Sequence, residues 1–136
     1  MPVGLAWASL RTVRQAIHVI DAVGRKSLGL AVDTFHFFVS GSSLEDLRQC
    51  RPRAIALVRL ADAPEGERET LRDHHRMVPG TGVAPLRAVL GVMKTLGTTP
   101  PVIVHVPLPR GESDAVGWAR RLREATASLL RDADSR

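Results

Sequence analysis

Hydrophobic residues follow two spacings along this chain of 136 residues. Where they recur three and four positions apart, they predict amphipathic helices. Where they form short continuous runs, they predict strands that are buried on both faces of a parallel sheet. The predicted helices cover residues 10–23, 44–49, 85–96 and 113–131, and the predicted strands cover residues 28–33, 54–60 and 102–106.

Capping residues and helix breakers place the ends of these helices. Ser9 is predicted to N-cap the first helix, and Gly24 to end it as a C-terminal glycine usually does. Ser43 is predicted to N-cap the second helix, with Asp46 at the capping-box position. In the last helix, Val116, Ala119, Leu122, Thr126 and Leu129 are predicted to face the core.

The alternating order of helices and strands predicts an α/β fold with a three-stranded parallel sheet and right-handed helical crossovers. Residues 1–7 are open to two interpretations, the tail of a fourth strand or a connecting loop. The length suits one domain, residues 1–136. Three parallel strands leave two open edges, which are normally covered. We therefore expect the chain either to pair with another copy or partner, or to be part of something larger.

The composition narrows the class of protein. Hydrophobic residues make up 44% and charged residues 24%, which is typical of a globular domain. We expect a soluble, cytoplasmic protein, because there is no secretory signal and no apolar run of the roughly 20 residues that span a membrane. The single cysteine, Cys50, excludes an internal disulfide and a cysteine-based metal site.

The net charge of +5 invites a nucleic-acid interpretation, but the distribution of charge opposes it. The arginines are spread along the chain, acidic residues lie among most of them, and no aromatic platform accompanies them. We therefore expect no nucleic-acid partner.

The first candidate site residues lie where the first predicted strand ends. Asp33 stands at that end and His36 follows three residues later. Ligands of α/β proteins bind outside the carboxyl ends of parallel strands, so this pair is a candidate site. The alternative is that Asp33 caps a local turn and His36 is a loop residue. Residues 65–77 are highly charged and predict a long edge loop of the kind that usually has a functional reason.

Several segments together resemble a known family. Residues 32–37 (Val-Asp-Thr-Phe-His-Phe) followed by residues 40–47 resemble the sugar phosphate isomerase/epimerase family with xylose isomerase-like TIM barrels. The next family strand is similar to residues 57–64, the arginine and Pro-Gly-x-Gly loop to residues 75–82, and the last barrel strand to residues 101–107. The resemblance covers nearly the whole chain. It implies the C-terminal half of a TIM barrel, beginning just after strand five.

The resemblance also implies a chemistry, the transfer of a proton next to a carbonyl through an enediolate held on a divalent metal. The family's metal ligands are a glutamate on strand five, the aspartate of D-x-x-H, a histidine on strand seven and a glutamate on strand eight. Asp33 matches the aspartate and His36 the histidine beside it. Arg59 stands at the strand-seven position and cannot ligate a metal, and His105 stands at the strand-eight position. The strand-five glutamate is absent.

From this resemblance we predict a weak site for Mn²⁺, Mg²⁺ or Co²⁺ that keeps several waters. The predicted site residues are Asp33 as metal ligand, His36 and His105 as catalytic residues, and Asp62, His75 and Arg76 as contacts to a small sugar or sugar phosphate.

Two functional hypotheses follow from these expectations. In the first, the chain is an isomerase- or epimerase-like protein, truncated and inactive as a single chain unless an N-terminal half completes it. In the second, it is a non-catalytic half-barrel module that self-associates as a homodimer.

Overall fold

A computed structural model of the chain describes residues 10–134. Helices and strands alternate through most of this range, as an α/β fold requires. The elements are α1 (Val13–Val23), β1 (Leu30–Asp33), α2 (Thr34–Val39), α3 (Leu44–Arg48), β2 (Ile55–Leu60), α4 (Leu86–Thr95), β3 (Val102–Val104) and α5 (Ala115–Asp134).

The three strands form a parallel sheet in the order β1-β2-β3. Asp33 of β1 lies opposite Arg59 of β2, and Arg59 lies opposite Ile103 of β3. The predicted three-stranded parallel sheet is confirmed. Residues 1–7, where we left open a fourth strand, lie outside the described residues.

The sheet buries one face and leaves the other open. Val32, Val58 and Leu60 are at most 2% exposed and belong to a core that α1, α3, α4 and α5 share. On the opposite face Ala31 is exposed and Ile103 is 49% exposed. The expectation that the strands are buried on both faces is therefore wrong for residues 10–134, because the helices of this range pack against one face only.

Local hydrogen bonds explain where the first helices begin and end. The α1 helix begins after Thr12, whose hydroxyl accepts from the Gln15 N–H, and it ends at Gly24, which has a φ of +66°. The predicted cap Ser9 lies outside the described residues. Ser43 N-caps α3 as predicted, by accepting from the Glu45 N–H. Asp46 does not complete a capping box, because its carboxylate turns to Arg14 at 2.9 Å from Nε.

Two features differ from the sequence predictions. The short helix α2 was not predicted; it follows β1 without a break, and its Phe35 is fully buried in a second core cluster. In α5, Thr126 and Leu129 are buried as predicted, but Val116 is 71% exposed. Because α5 packs against α4 and β3 near its C-terminal end, its first turns contribute no core residue.

The charged loop after β2 contains two short 3₁₀ turns, Arg68–Thr70 and Asp73–His75, and is otherwise irregular. It returns to the sheet where Met77 forms an antiparallel bridge with Asp62. This return carries Arg76 back to the carboxyl ends of the strands. No helix in residues 10–134 is long and apolar enough to cross a membrane.

Candidate functional site

The carboxyl ends of the three strands bring Asp33, Arg59 and His105 side by side. The His105 N–H donates to the Leu60 carbonyl at 2.9 Å, which continues the ladder between β2 and β3 by one residue. Arg59 lies between the other two: its Nε is 3.7 Å from Asp33 Oδ2, and its Nη2 is 2.5 Å from His105 Nδ1. Because a guanidinium only donates, His105 Nδ1 is the acceptor.

Arg76 joins the row from the loop and holds Asp33 on both oxygens. Its Nη1 and Nη2 donate to Asp33 Oδ1 and Oδ2 at 2.9 and 3.0 Å, a bidentate pair. Its side chain is 1% exposed, and its guanidinium carbon lies 4.8 Å from the centroid of the Phe35 ring. A further contact of 3.2 Å joins it to Asp73 Oδ1. The buried charge of Arg76 is therefore balanced by two carboxylates.

Asp33 has two structural roles in this arrangement. Its Oδ1 also accepts the His36 N–H at 3.2 Å and so N-caps α2. Burial is the largest effect on its carboxyl and raises the pKa. The hydrogen bonds and charge of Arg76, with smaller help from His36, outweigh that effect, so the pKa lies below its usual value. Asp33 is therefore a carboxylate at neutral pH. It caps a local turn, as one interpretation of the D-x-x-H spacing predicted, and it also lies in the candidate site, as the other predicted.

Arg76 also determines the tautomer of His36. Its Nη2 lies 3.0 Å from His36 Nε2 and must donate, so Nε2 is an acceptor and the ring proton is on Nδ1. Nδ1 is buried, and no atom of residues 10–134 accepts its hydrogen. Burial lowers the pKa of His36 most, and the charge of Arg76 lowers it further against the opposing effect of Asp33. His36 is thus a neutral imidazole whose lone pair is engaged.

His105 is more open than His36 but has a similar electrostatic environment. Burial lowers its pKa first and the neighbouring Arg59 charge second. Like His36, it is expected to be neutral at pH 7, with one ring nitrogen engaged by an arginine.

Two of the predicted contact residues lie elsewhere. Asp62 is 1% exposed, and its carboxylate accepts the N–H groups of Ala63, Gly80, Gly82 and Ala84 at 2.9–3.0 Å. It therefore organises the Pro-Gly-x-Gly loop and has no exposed oxygen to offer a ligand. His75 Nδ1 accepts the Arg72 N–H at 2.9 Å within a 3₁₀ turn. We call the joined side chains the strand-end cluster; its members are Asp33, His36, Arg59, Arg76 and His105. Asp62 and His75 lie outside it.

Asp73 belongs to the cluster although the sequence did not mark it. It contacts Arg76 and lies 3.6 Å from His36 Nε2. Its position three residues before Arg76 in a helical turn is the one signal that could have found it.

Consecutive βα units whose parallel strands pair in chain order, with polar side chains at the carboxyl ends, are typical of part of a TIM barrel. The comparison with known families agrees, because the model of the xylose isomerase-like TIM barrel matches residues 4–130. The chain belongs to that family, and the predicted resemblance is confirmed.

Similar proteins support the same assignment. The inosose isomerase of Bacillus velezensis is 34% identical over 132 residues, which cover 93% of this chain and 46% of that protein. The inosose isomerase of Bacillus subtilis is 32% identical over 107 residues, covering 79% and 38% respectively. The crystal structure of the IOLI protein with a bound zinc atom superposes with a TM-score of 0.88 at 27% identity, covering 96% of this chain and 48% of that one. The chain spans less than half the length of these relatives.

A zinc-containing relative raises the question whether this cluster suits a metal, and its side chains do not. In residues 10–134 no three His, Cys, Asp or Glu side chains are grouped to hold an ion, and residues 1–9 contain none of these types. Both oxygens of Asp33 are bound by Arg76, and a second guanidinium stands at the next strand end. Two fixed positive charges beside the candidate ligand oppose a divalent cation.

Proposed function

We propose that this chain binds a small sugar-like molecule at the strand-end cluster and does not by itself catalyse metal-assisted isomerisation. The binding half of the proposal is supported by the family and by the names of the relatives, inosose isomerase among them. Guanidinium, carboxylate and imidazole groups along one sheet edge are also suitable hydrogen-bond partners for sugar hydroxyls.

The bidentate Arg76–Asp33 pair is the observation that supports the absence of metal-assisted catalysis by this chain alone. Proton transfer next to a carbonyl needs a free base and an electrophile, and a positioned acid or base contributes about 10²–10⁴-fold. Here each candidate base accepts from an arginine: Asp33 and His36 from Arg76, and His105 from Arg59. If a second subunit or an N-terminal half supplies carboxylates that draw Arg76 and Arg59 away from the imidazoles, His36 and His105 are the residues we expect to move the proton.

An isomerase assay tests this proposal. The purified chain is incubated with Mn²⁺, Mg²⁺, Co²⁺ or Zn²⁺ and with ketoses, ketose phosphates or an inosose. We expect no turnover above the metal-only background. Metal-dependent turnover that disappears in Asp33→Ala, but persists in the matched surface variant Asp132→Ala, would refute it.

The second candidate function, a self-associating half-barrel module, is favoured by the open face of the sheet. Ala31 is exposed and Ile103 is 49% exposed on this face, and within residues 10–134 both β1 and β3 pair on one side only. Burial of such apolar surface in a homodimer would be favourable.

Light scattering at micromolar concentration measures this association. We expect a dimer that Ile103→Lys dissociates and that Val19→Lys, a change on the exposed side of α1, leaves intact. A well-folded, strictly monomeric wild-type chain excludes the module hypothesis.

A cytoplasmic location is part of both proposals and is compatible with the free thiol of Cys50.

A further inference from the structure

Arg59 occupies the middle of the strand-end cluster with most of its hydrogen-bonding capacity unused. It lies one residue before the end of the central strand, and its side chain is 33% exposed. The guanidinium has five N–H donors, and in the described part of the chain its one hydrogen-bond acceptor is His105 Nδ1. The contact to Asp33 at 3.7 Å is an ion pair that is too long for a hydrogen bond.

The two arginines of the cluster differ in this respect. Arg76 donates to both oxygens of Asp33, to Asp73 and to His36, so its donors are engaged in a buried network. Asp33 is in turn occupied by Arg76 and cannot turn fully to Arg59. Arg59 is therefore the cation of the cluster that keeps free donors for a ligand.

The free donors of Arg59, and not the net charge of the cluster, favour an anion. Two carboxylates, Asp33 and Asp73, balance the two guanidiniums. Both oxygens of Asp33 are engaged by Arg76, however, and Asp73 contacts Arg76 and His36 on the other side of the cluster. His105, which holds Arg59 in place, has a lowered pKa and adds no opposing charge. A partly desolvated guanidinium with unfilled donors is satisfied best by a charge-assisted, bidentate hydrogen bond to an oxyanion.

We infer that Arg59, positioned by His105, binds the oxyanion of an anionic sugar-like ligand at the place where the family resemblance implies a metal ion. A phosphate group and a carboxylate share the required chemistry, because both present two oxygens to the guanidinium fork. This inference rests on the proposed sugar-binding function and adds to it the charge of the ligand.

Calorimetric titration of the full chain with three probes tests the inference. The probes are D-glucose 6-phosphate, D-gluconate and neutral D-glucose, so the first two distinguish phosphate from carboxylate. We expect at least one anionic probe to bind about tenfold more tightly than glucose, in keeping with one charge-assisted bidentate contact. Arg59→Gln removes this preference, so that the anionic probes bind no more tightly than glucose, whereas Arg59→Lys retains part of it.

Arg53→Gln is the matched control, because Arg53 is an exposed arginine just before β2, at the opposite end of the same strand. The thermal midpoint of each variant confirms that it is folded. Equal affinity for all three probes overturns the inference and leaves the proposed function standing. Equal losses in Arg53→Gln and Arg59→Gln also overturn it, since they indicate non-specific attraction. Absence of binding to every probe by the folded wild-type chain overturns both proposals.

Discussion

Replacing Asp62 by alanine is the sharpest test of how the site is held in place. The carboxylate accepts four backbone N–H groups and so joins the end of β2 to residues 80–84. The same segment follows the Asp62–Met77 bridge, directly beside Arg76. Loss of the carboxylate should therefore release the loop that delivers Arg76 to Asp33.

The structure sets the size of this effect. A hydrogen bond to a charged acceptor contributes about 1.5–3 kcal/mol. Gly80 and Gly82 are exposed, so water replaces part of what they lose, whereas Ala63 is fully buried and its N–H stays unpaired. We expect Asp62→Ala to lower the free energy of unfolding by about 3–5 kcal/mol, well below the sum of four bonds.

Urea unfolding followed by far-UV circular dichroism measures this loss. Asp62→Asn keeps one acceptor oxygen and should lose about half as much, about 2 kcal/mol. Asp132→Ala removes an exposed carboxylate that pairs with Arg87 at 2.7 Å, and it should cost less than about 1 kcal/mol. If Asp62→Ala unfolds within about 1 kcal/mol of the wild type while ligand binding is lost, Asp62 is a ligand contact and not the residue that holds the loop in place.

Three further predictions follow from the same structure. A Cβ at Gly82 would collide with the Ala63 carbonyl oxygen and lie 2.7 Å from Asp62 Oδ1, so Gly82→Ala should destabilise the fold by about 1–3 kcal/mol. Gly91→Ala, in the open middle of α4, should instead stabilise it by about 0.5–1 kcal/mol; equal effects in urea unfolding would contradict the predicted collision. Folding lowers the pKa of His36, so its contribution to the free energy of unfolding is fully present above the unfolded pKa of about 6.5. That contribution is lost as the pH falls through the folded pKa. His36→Gln should flatten that decline in urea midpoints measured from pH 7.5 to 5, and an unchanged slope would assign the decline to other groups. Burial raises the pKa of the Cys50 thiol to about 11, so a disulfide reagent at pH 8 should modify it slowly in buffer and rapidly in urea; rapid modification of the native chain would be inconsistent with its burial.

Most of the fold could be predicted from the sequence, because hydrophobic spacing and caps act over a few residues. The three strands lie where their patterns indicate, and so do the helices α1, α3, α4 and α5. Gly24 and Ser43 form the predicted end and cap. The helix α2 escaped prediction, since Thr34 to Val39 is rich in aromatic and β-branched residues with low helix propensity. It forms because Asp33 caps it and the core takes up Phe35.

The candidate site was only half visible in the sequence. The D-x-x-H spacing and the family resemblance identified Asp33, His36, Arg76 and His105, which the structure brings together. They also suggested Asp62 as a ligand contact, although its carboxylate is filled by its own loop. A sequence shows that a residue is polar, but it does not show which groups have already satisfied it.

The sequence by itself determined the order of the elements and the chemical types available at the strand ends. Only the tertiary structure decided which charges meet. Asp33 and Arg76 are 43 residues apart, and an irregular loop whose path no local pattern encodes brings them together. The sheet register likewise places Arg59 between Asp33 and His105. Arg76 therefore donates to both oxygens of Asp33, whereas Arg59 keeps free N–H donors. The reason is that a carboxylate whose two oxygens accept from one guanidinium cannot also form a bidentate pair with a second.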